Sequence, residues 1–110
     1  MLTDYHCHIL PGIDDGAENT ETSLKMIEMM KEQGVERIVS TSHFYSHREK
    51  SVADFIAKRK AAFNKIKKKM AIKNVLLGAE VSIEHGISEL LDIQKLAIEG
   101  TNIILMELPF

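Results

Sequence analysis

The chain is poor in cysteine, and Cys7 is its only one among 110 residues. An internal disulfide is therefore excluded, and nothing in cysteine usage marks an oxidising compartment, so a cytoplasmic protein is expected. Long apolar runs are also missing. No segment approaches the ~20 apolar residues of a membrane span. The first eight residues carry Asp4, His6 and His8 in place of the basic run and apolar stretch of a signal peptide. Neither charge sign dominates: 14 basic and 16 acidic residues leave a formal net charge of −2. Such a balance supplies no broad basic field to draw the chain onto nucleic acid or an anionic membrane. No nucleic-acid partner and no membrane insertion are expected.

Apolar content of 45% is enough for an ordinary core, and the length suits one domain, residues 1–110. Helix and strand signals alternate along it. Leu2 to Ile9 reads as a strand that runs into Pro11, Gly12 and the turn-like Asp14-Asp15-Gly16. Thr20 to Gln33 has helical spacing, with Gly34 at the C-cap. Val35 to Ser40 is a β-branched strand followed by a polar loop. Ser51 and Asp54 resemble a capping box for a second helix, whose buried face is Phe55, Ile56, Phe63, Ile66 and Met70. Its lysines, Lys65 and Lys67 to Lys69, mark the wet side. Val75 to Ile83 is a third strand interrupted by Gly78. Ile87 to Ile98 reads as a third helix with Leu90, Leu91, Ile93 and Leu96 as its apolar contributions, closed by Gly100. Asn102 to Leu108 is a fourth strand. The order βαβαβαβ implies an α/β fold with a parallel sheet covered by helices. A complete (β/α) barrel takes about 250 residues, so this length accommodates around half of one.

Residues two apart on a strand share a face, so His6 and His8 form a candidate chelating pair while Cys7 points away. The other candidate ligands sit at the same ends of successive strands: Asp15 after the first, His43 after the second, Glu80 after the third, Glu107 in the fourth. In a parallel α/β fold those ends collect on one side. Glu107 lies in an apolar strand, where an unpartnered carboxylate is costly and a metal or hydrogen-bond partner is the economical explanation. For Asp14, a tight turn suffices. Met26, Met29 and Met30 read as core filler. Cys7 reads as a buried thiol. His47 and Arg48 stand in the polar and aromatic run after His43, the composition of a surface loop or of a substrate mouth.

The run from Asp4 to Ala17, Asp-Tyr-His-Cys-His-Ile-Leu-Pro-Gly-Ile-Asp-Asp-Gly-Ala, resembles the opening of the CpsB/YwqE-type bacterial tyrosine phosphatases of the PHP (polymerase and histidinol phosphatase) class. Ser40-Thr41-Ser42-His43, Gly78-Ala79-Glu80 and Glu107-Leu108-Pro109-Phe110 follow in the family's order. The resemblance implies the N-terminal half of a distorted (β/α)7 barrel and a centre of three divalent metal ions, with manganese expected and iron, zinc or magnesium as alternatives. The matching ligand positions are His6, His8, Asp15, His43, Glu80 and Glu107. Glu80 would bridge two ions, with His6 and His8 on the first and Glu107 on the second; Asp15 and His43 would hold the third. The implied activity is metal-dependent hydrolysis of phosphotyrosine on a bacterial tyrosine kinase in capsule or exopolysaccharide regulation. The family's pattern continues beyond Phe110 with further ligands and phosphate-holding arginines. A complementing C-terminal half or a homo-oligomer is therefore an expected partner. A truncated, non-catalytic metal-binding remnant or interaction module is the alternative reading, and a PHP phosphatase for a small phosphomonoester is another.

Overall fold

The structure is a computed structural model that describes residues 1–108; Pro109 and Phe110 of the last motif lie outside the described residues. Four strands, β1 (Leu2–Cys7), β2 (Val35–Phe44), β3 (Asn74–Ser82) and β4 (Leu105–Glu107), form one sheet. They lie side by side in chain order, and every neighbouring pair is parallel. That sequential order is the order of strands around a barrel, here left open as a partial one.

Two helices, α1 (Thr20–Glu32) and α2 (Val52–Ile66), connect the first three strands. Each begins where a side chain caps it. Asn19 accepts from the Thr22 amide at 2.9 Å, and Ser51 accepts from the Asp54 amide at 3.0 Å. Gly34 ends the first helix at φ 91°, a left-handed conformation that costs glycine little. Ile27 of α1 and Ile66 of α2 meet Ile38 and Leu77 of the sheet in one cluster, so both helices cover the same face. A second cluster joins Phe44, Phe55, Ala79, Val81 and Leu96 near the strands' carboxyl ends. There the Phe44 and Phe55 rings meet edge to face with centroids 5.2 Å apart.

Four expectations change. The polar stretch after Ser40 is strand, not loop: β2 runs to Phe44, and Ser40, Thr41 and Ser42 are fully buried. As a central strand, β2 is held on both edges, and Thr41 exchanges contacts of 3.2 Å with the Cys7 amide and carbonyl. Gly78 does not interrupt β3; a Cβ there would come within 3.1 Å of Ile98, so glycine lets the 97–99 segment close against the strand. The third helix does not form. Two short 3-10 turns, Ile87–Glu89 and Ile93–Leu96, stand in its place, separated by extended Leu90 and by Asp92 at φ 64°. Leu90, Leu91 and Ile93 do not follow a single helical stripe, and Leu91 is 80% exposed. The backbone instead serves the sheet edge, where the Glu99 amide donates to the Leu77 carbonyl at 3.0 Å and the Leu77 amide donates to the Glu99 carboxylate at 2.6 Å. β4 is correspondingly shorter than the expected Asn102 to Leu108.

The packing makes a direct contrast. Phe55→Ala, which empties the second cluster, is expected to cost about 3–5 kcal/mol. Leu91→Ala is expected to stay within about 0.5 kcal/mol of the parent, as surface changes do. Urea denaturation of the two variants checks both, and a large loss for Leu91→Ala would restore the third helix.

Candidate metal centre

The centre begins with an irregularity in β1. Asp4 pairs with Ile38 and Cys7 with Ser40, so three steps along β1 match two along β2, which is a bulge. It changes which side chains face the concave side. Tyr5 is on that side, its hydroxyl receiving Arg37 Nη2 at 3.3 Å, and the adjacent His6 is there as well, against Glu80. The Asp4 carboxylate accepts the His6 amide at 2.9 Å and so satisfies the bulged backbone. Cys7 turns to the helix side, its Sγ 3.4 Å from the Val39 carbonyl. Burial first, then the charge of Asp4, push its thiol up to about 12, which leaves little thiolate near neutrality.

His6 and His8 bring their Nε2 atoms to 3.3 Å of each other. Glu80 Oε1 touches His6 Nε2 and lies 3.1 Å from His8 Nε2. The β2–β3 register sets His43 opposite Glu80, and the β3–β4 register brings Glu107 up beside Ser82. His43 Nδ1 is 3.7 Å from Glu80 Oε2 and 3.4 Å from Glu107 Oε2, while its Nε2 is 3.5 Å from Asp15 Oδ1. The His8 and His43 rings stack with centroids 4.5 Å apart, so these are parts of one site. All six expected ligands meet, in three overlapping groups: His6, His8 and Glu80; His8, Asp15 and His43; His43, Glu80 and Glu107. His43 and Glu80 lie inside their strands and not after them.

The turn expected at Asp14 is only part of its role. Its side chain is 6% exposed. One oxygen accepts from the Gly16 amide at 2.9 Å; the other is 2.9 Å from His8 Nδ1 and accepts the His43 amide at 3.0 Å. Burial works to raise its pKa, but the hydrogen bonds from His8, His43 and Gly16 outweigh it and hold the carboxyl below its usual range. A carboxylate on Nδ1 presents Nε2 of His8 to the centre, the usual way an outer partner orients a ligand histidine. Gly16 is required by the same fold-back, since a Cβ there would collide with the His8 carbonyl and Cβ. The spacing Asp-x-Gly, with the aspartate accepting from the amide two residues on, signals the turn alone; the contacts with His8 and His43 have no local signature.

The donors fit a divalent cation. Two donors on one ion at roughly 2.0–2.2 Å lie at most about 4.4 Å apart, and the contacts above fall inside that limit. Imidazoles with carboxylates suit manganese, iron or zinc. The electrostatics agree. Burial works to raise Glu80, yet hydrogen bonds with Glu107 and His6 and the nearby histidines hold it low; Glu107 is raised by its hydrogen bond to Glu80, by burial and by the Glu80 charge. The two carboxylates lie together in one group, and a cation there would relieve their mutual repulsion.

Residues 2–110 match the family described as capsular polysaccharide synthesis, CpsB/CapC. The chain is 33% identical over 112 residues to the tyrosine-protein phosphatase YwqE of Bacillus subtilis (strain 168), across 99% of this chain and 44% of that protein. It is 31% identical over 108 residues to the tyrosine-protein phosphatase CpsB of Streptococcus agalactiae serotype V, across 96% of this chain and 44% of that protein. Among solved structures, it matches one from the crystallographic work on YwqE of Bacillus subtilis and CpsB of Streptococcus pneumoniae, described there as unique metal-dependent tyrosine phosphatases. That match has a TM-score of 0.71 and 30% identity, and covers 99% of this chain and 45% of the other. The chain spans less than half the length of these relatives.

The role of Asp14 is separable from that of the ligands. Asp14→Ala keeps all six candidate donors and is expected to weaken manganese binding about 10–100-fold, the usual cost of losing an outer partner. Competition against a chelator of known affinity measures it, and unchanged affinity would reduce Asp14 to a turn residue.

Proposed function

The chain belongs to the CpsB/CapC capsular polysaccharide synthesis family, with its sheet matching part of the YwqE/CpsB structure, and we propose that it is the N-terminal portion of a metal-dependent protein-tyrosine phosphatase. The observation that carries this reading is the position of Glu80, whose two oxygens face His6 and His8 on one side and His43 on the other. Ions bound here would be held by His6, His8 and Glu80, by Glu80 and Glu107, and by Asp15 and His43, with Glu80 shared between the first two.

Divalent ions held there would supply positive charge for the phosphoryl oxygens and lower the pKa of a water toward roughly 7. The protein's own part is to fix donors in a rigid sheet and to orient them. Asp14 sets the His8 ring, the Glu80–Glu107 pair provides dense negative charge for the cations, and Cys7 stays out of the reaction. Manganese is the proposed metal, with iron, zinc or magnesium as alternatives. The proposed substrate is phosphotyrosine on a bacterial tyrosine kinase that regulates capsule or exopolysaccharide, met in the cytoplasm. The further ligands of such a centre would come from the rest of a barrel, as a complementing C-terminal half.

One observation favours a second reading, a metal-binding interaction module without turnover. The concave face carries an open, mainly apolar depression of about 590 Å3 lined by residues that include Val39, Leu76, Ile103, Ile104 and Met106. Phosphate release from a phosphotyrosine peptide with manganese, compared between the parent and His6→Ala, separates the two. The phosphatase reading expects turnover that falls in His6→Ala by more than the roughly 10–100-fold of an outer-partner loss. Metal uptake without any phosphate release would favour the module, and equal release from small phosphomonoesters would shift the substrate class.

A further inference from the structure

Next to Asp15 and His43 lies a cavity of about 180 Å3 whose far wall is Tyr45, Arg48 and Glu49. Its size is below the roughly 300–1,000 Å3 of sites that enclose a drug-sized ligand, so it suits one small group. The segment forming that wall is held in place. Ser46 Oγ donates to Glu84 at 2.6 Å and His47 Nδ1 is 2.8 Å from the other Glu84 oxygen, while the Arg48 amide closes a turn on the Tyr45 carbonyl at 2.9 Å. Tyr45 stacks on His43 with centroids 5.3 Å apart, and the Arg48 guanidinium lies 4.7 Å from the Tyr45 ring centre on the wall of the cavity.

The charges around the cavity are spoken for, with one exception. Asp14 is taken by His8 and two backbone amides, and Glu49 by Lys58 at 3.0 Å. Asp15 faces His43. Among the described residues, Arg48 forms no salt bridge, and it is the one cation lining the cavity. A guanidinium held on an aromatic ring beside an acidic metal centre matches an anion that the centre also attracts, and its planar fork suits phosphoryl oxygens.

We infer that Arg48, positioned by Tyr45 and by the Glu84 clamp on its loop, binds a phosphoryl oxygen of an aryl phosphate whose ester is presented to the Asp15–His43 side of the centre. This rests on the phosphatase reading and extends it: the N-terminal portion carries a phosphate-binding arginine of its own and does not depend wholly on the rest of a barrel for substrate recognition.

The test is calorimetric binding of phenyl phosphate, and separately of inorganic phosphate, to the manganese-loaded chain, with metal content measured on every sample. Arg48→Ala is expected to take up the same metal and to bind phenyl phosphate at least about tenfold more weakly, the scale of a lost charged hydrogen bond. Arg48→Lys is expected to recover part of that loss, since a lysine keeps the charge without the fork. A parallel loss for inorganic phosphate places the contact on the phosphoryl group. Unchanged phenyl phosphate binding in Arg48→Ala overturns the inference while the metal centre stands. So does a fully metal-loaded parent that binds no phenyl phosphate. A parent that takes up no metal removes the phosphatase reading, and this inference with it.

Discussion

A carboxylate buried in a strand is costly unless something compensates its charge, and Glu80, with a side chain 8% exposed in the middle of the sheet, is that carboxylate here. The surrounding structure is arranged to supply the compensation. The parallel register of β2 and β3 places His43 directly opposite it. The bulge in β1 turns His6 and His8 toward it, and the pairing of β4 brings Glu107 within reach. Each neighbour reaches Glu80 by a separate backbone device, and the result is a cluster with more acidic and imidazole donors than a neutral hydrogen-bond network would need.

The same sheet explains why the donors can be held so closely. β2 is paired along both edges and its hydroxyl-bearing run from Ser40 to Ser42 is fully buried, so His43 projects from a stiff support. The turn after β1 is stiffened in another way: Asp14 ties it to His8 and to the β2 backbone, and Gly16 lets it lie flat on His8. Asp15, 86% exposed, is the least enclosed of the six donors. Donors fixed before a ligand arrives are what a metal-dependent hydrolase needs, because reorganisation would otherwise subtract from binding and catalysis.

Much of this was legible in the sequence. The two helices announced themselves through the Ser51 cap, apolar spacing and Gly34, and the six candidate ligands through their places near the ends of successive strands. What escaped had physical reasons. Thr41 and Ser42 read as a loop by polarity, whereas pairing with strands distant in sequence makes them part of β2. Ile87 to Ile98 has enough leucine and isoleucine for a helix, but their order matches no single face, and edge pairing of Glu99 with Leu77 won. Asp14 looked like half of a turn because its second oxygen meets His43, 29 residues away in sequence, a contact that local patterns do not encode. The family resemblance supplied the ligand set; the hydrogen bonds that orient it came from the fold.

Metal content by elemental analysis of the purified chain, set beside Glu80→Ala, tests the central claim most directly. If Glu80 joins the two sides of one centre, the parent retains near-stoichiometric manganese or a related divalent ion, and Glu80→Ala loses it from both groups that contain this residue. A variant that folds and keeps the parent's full metal content would contradict the account.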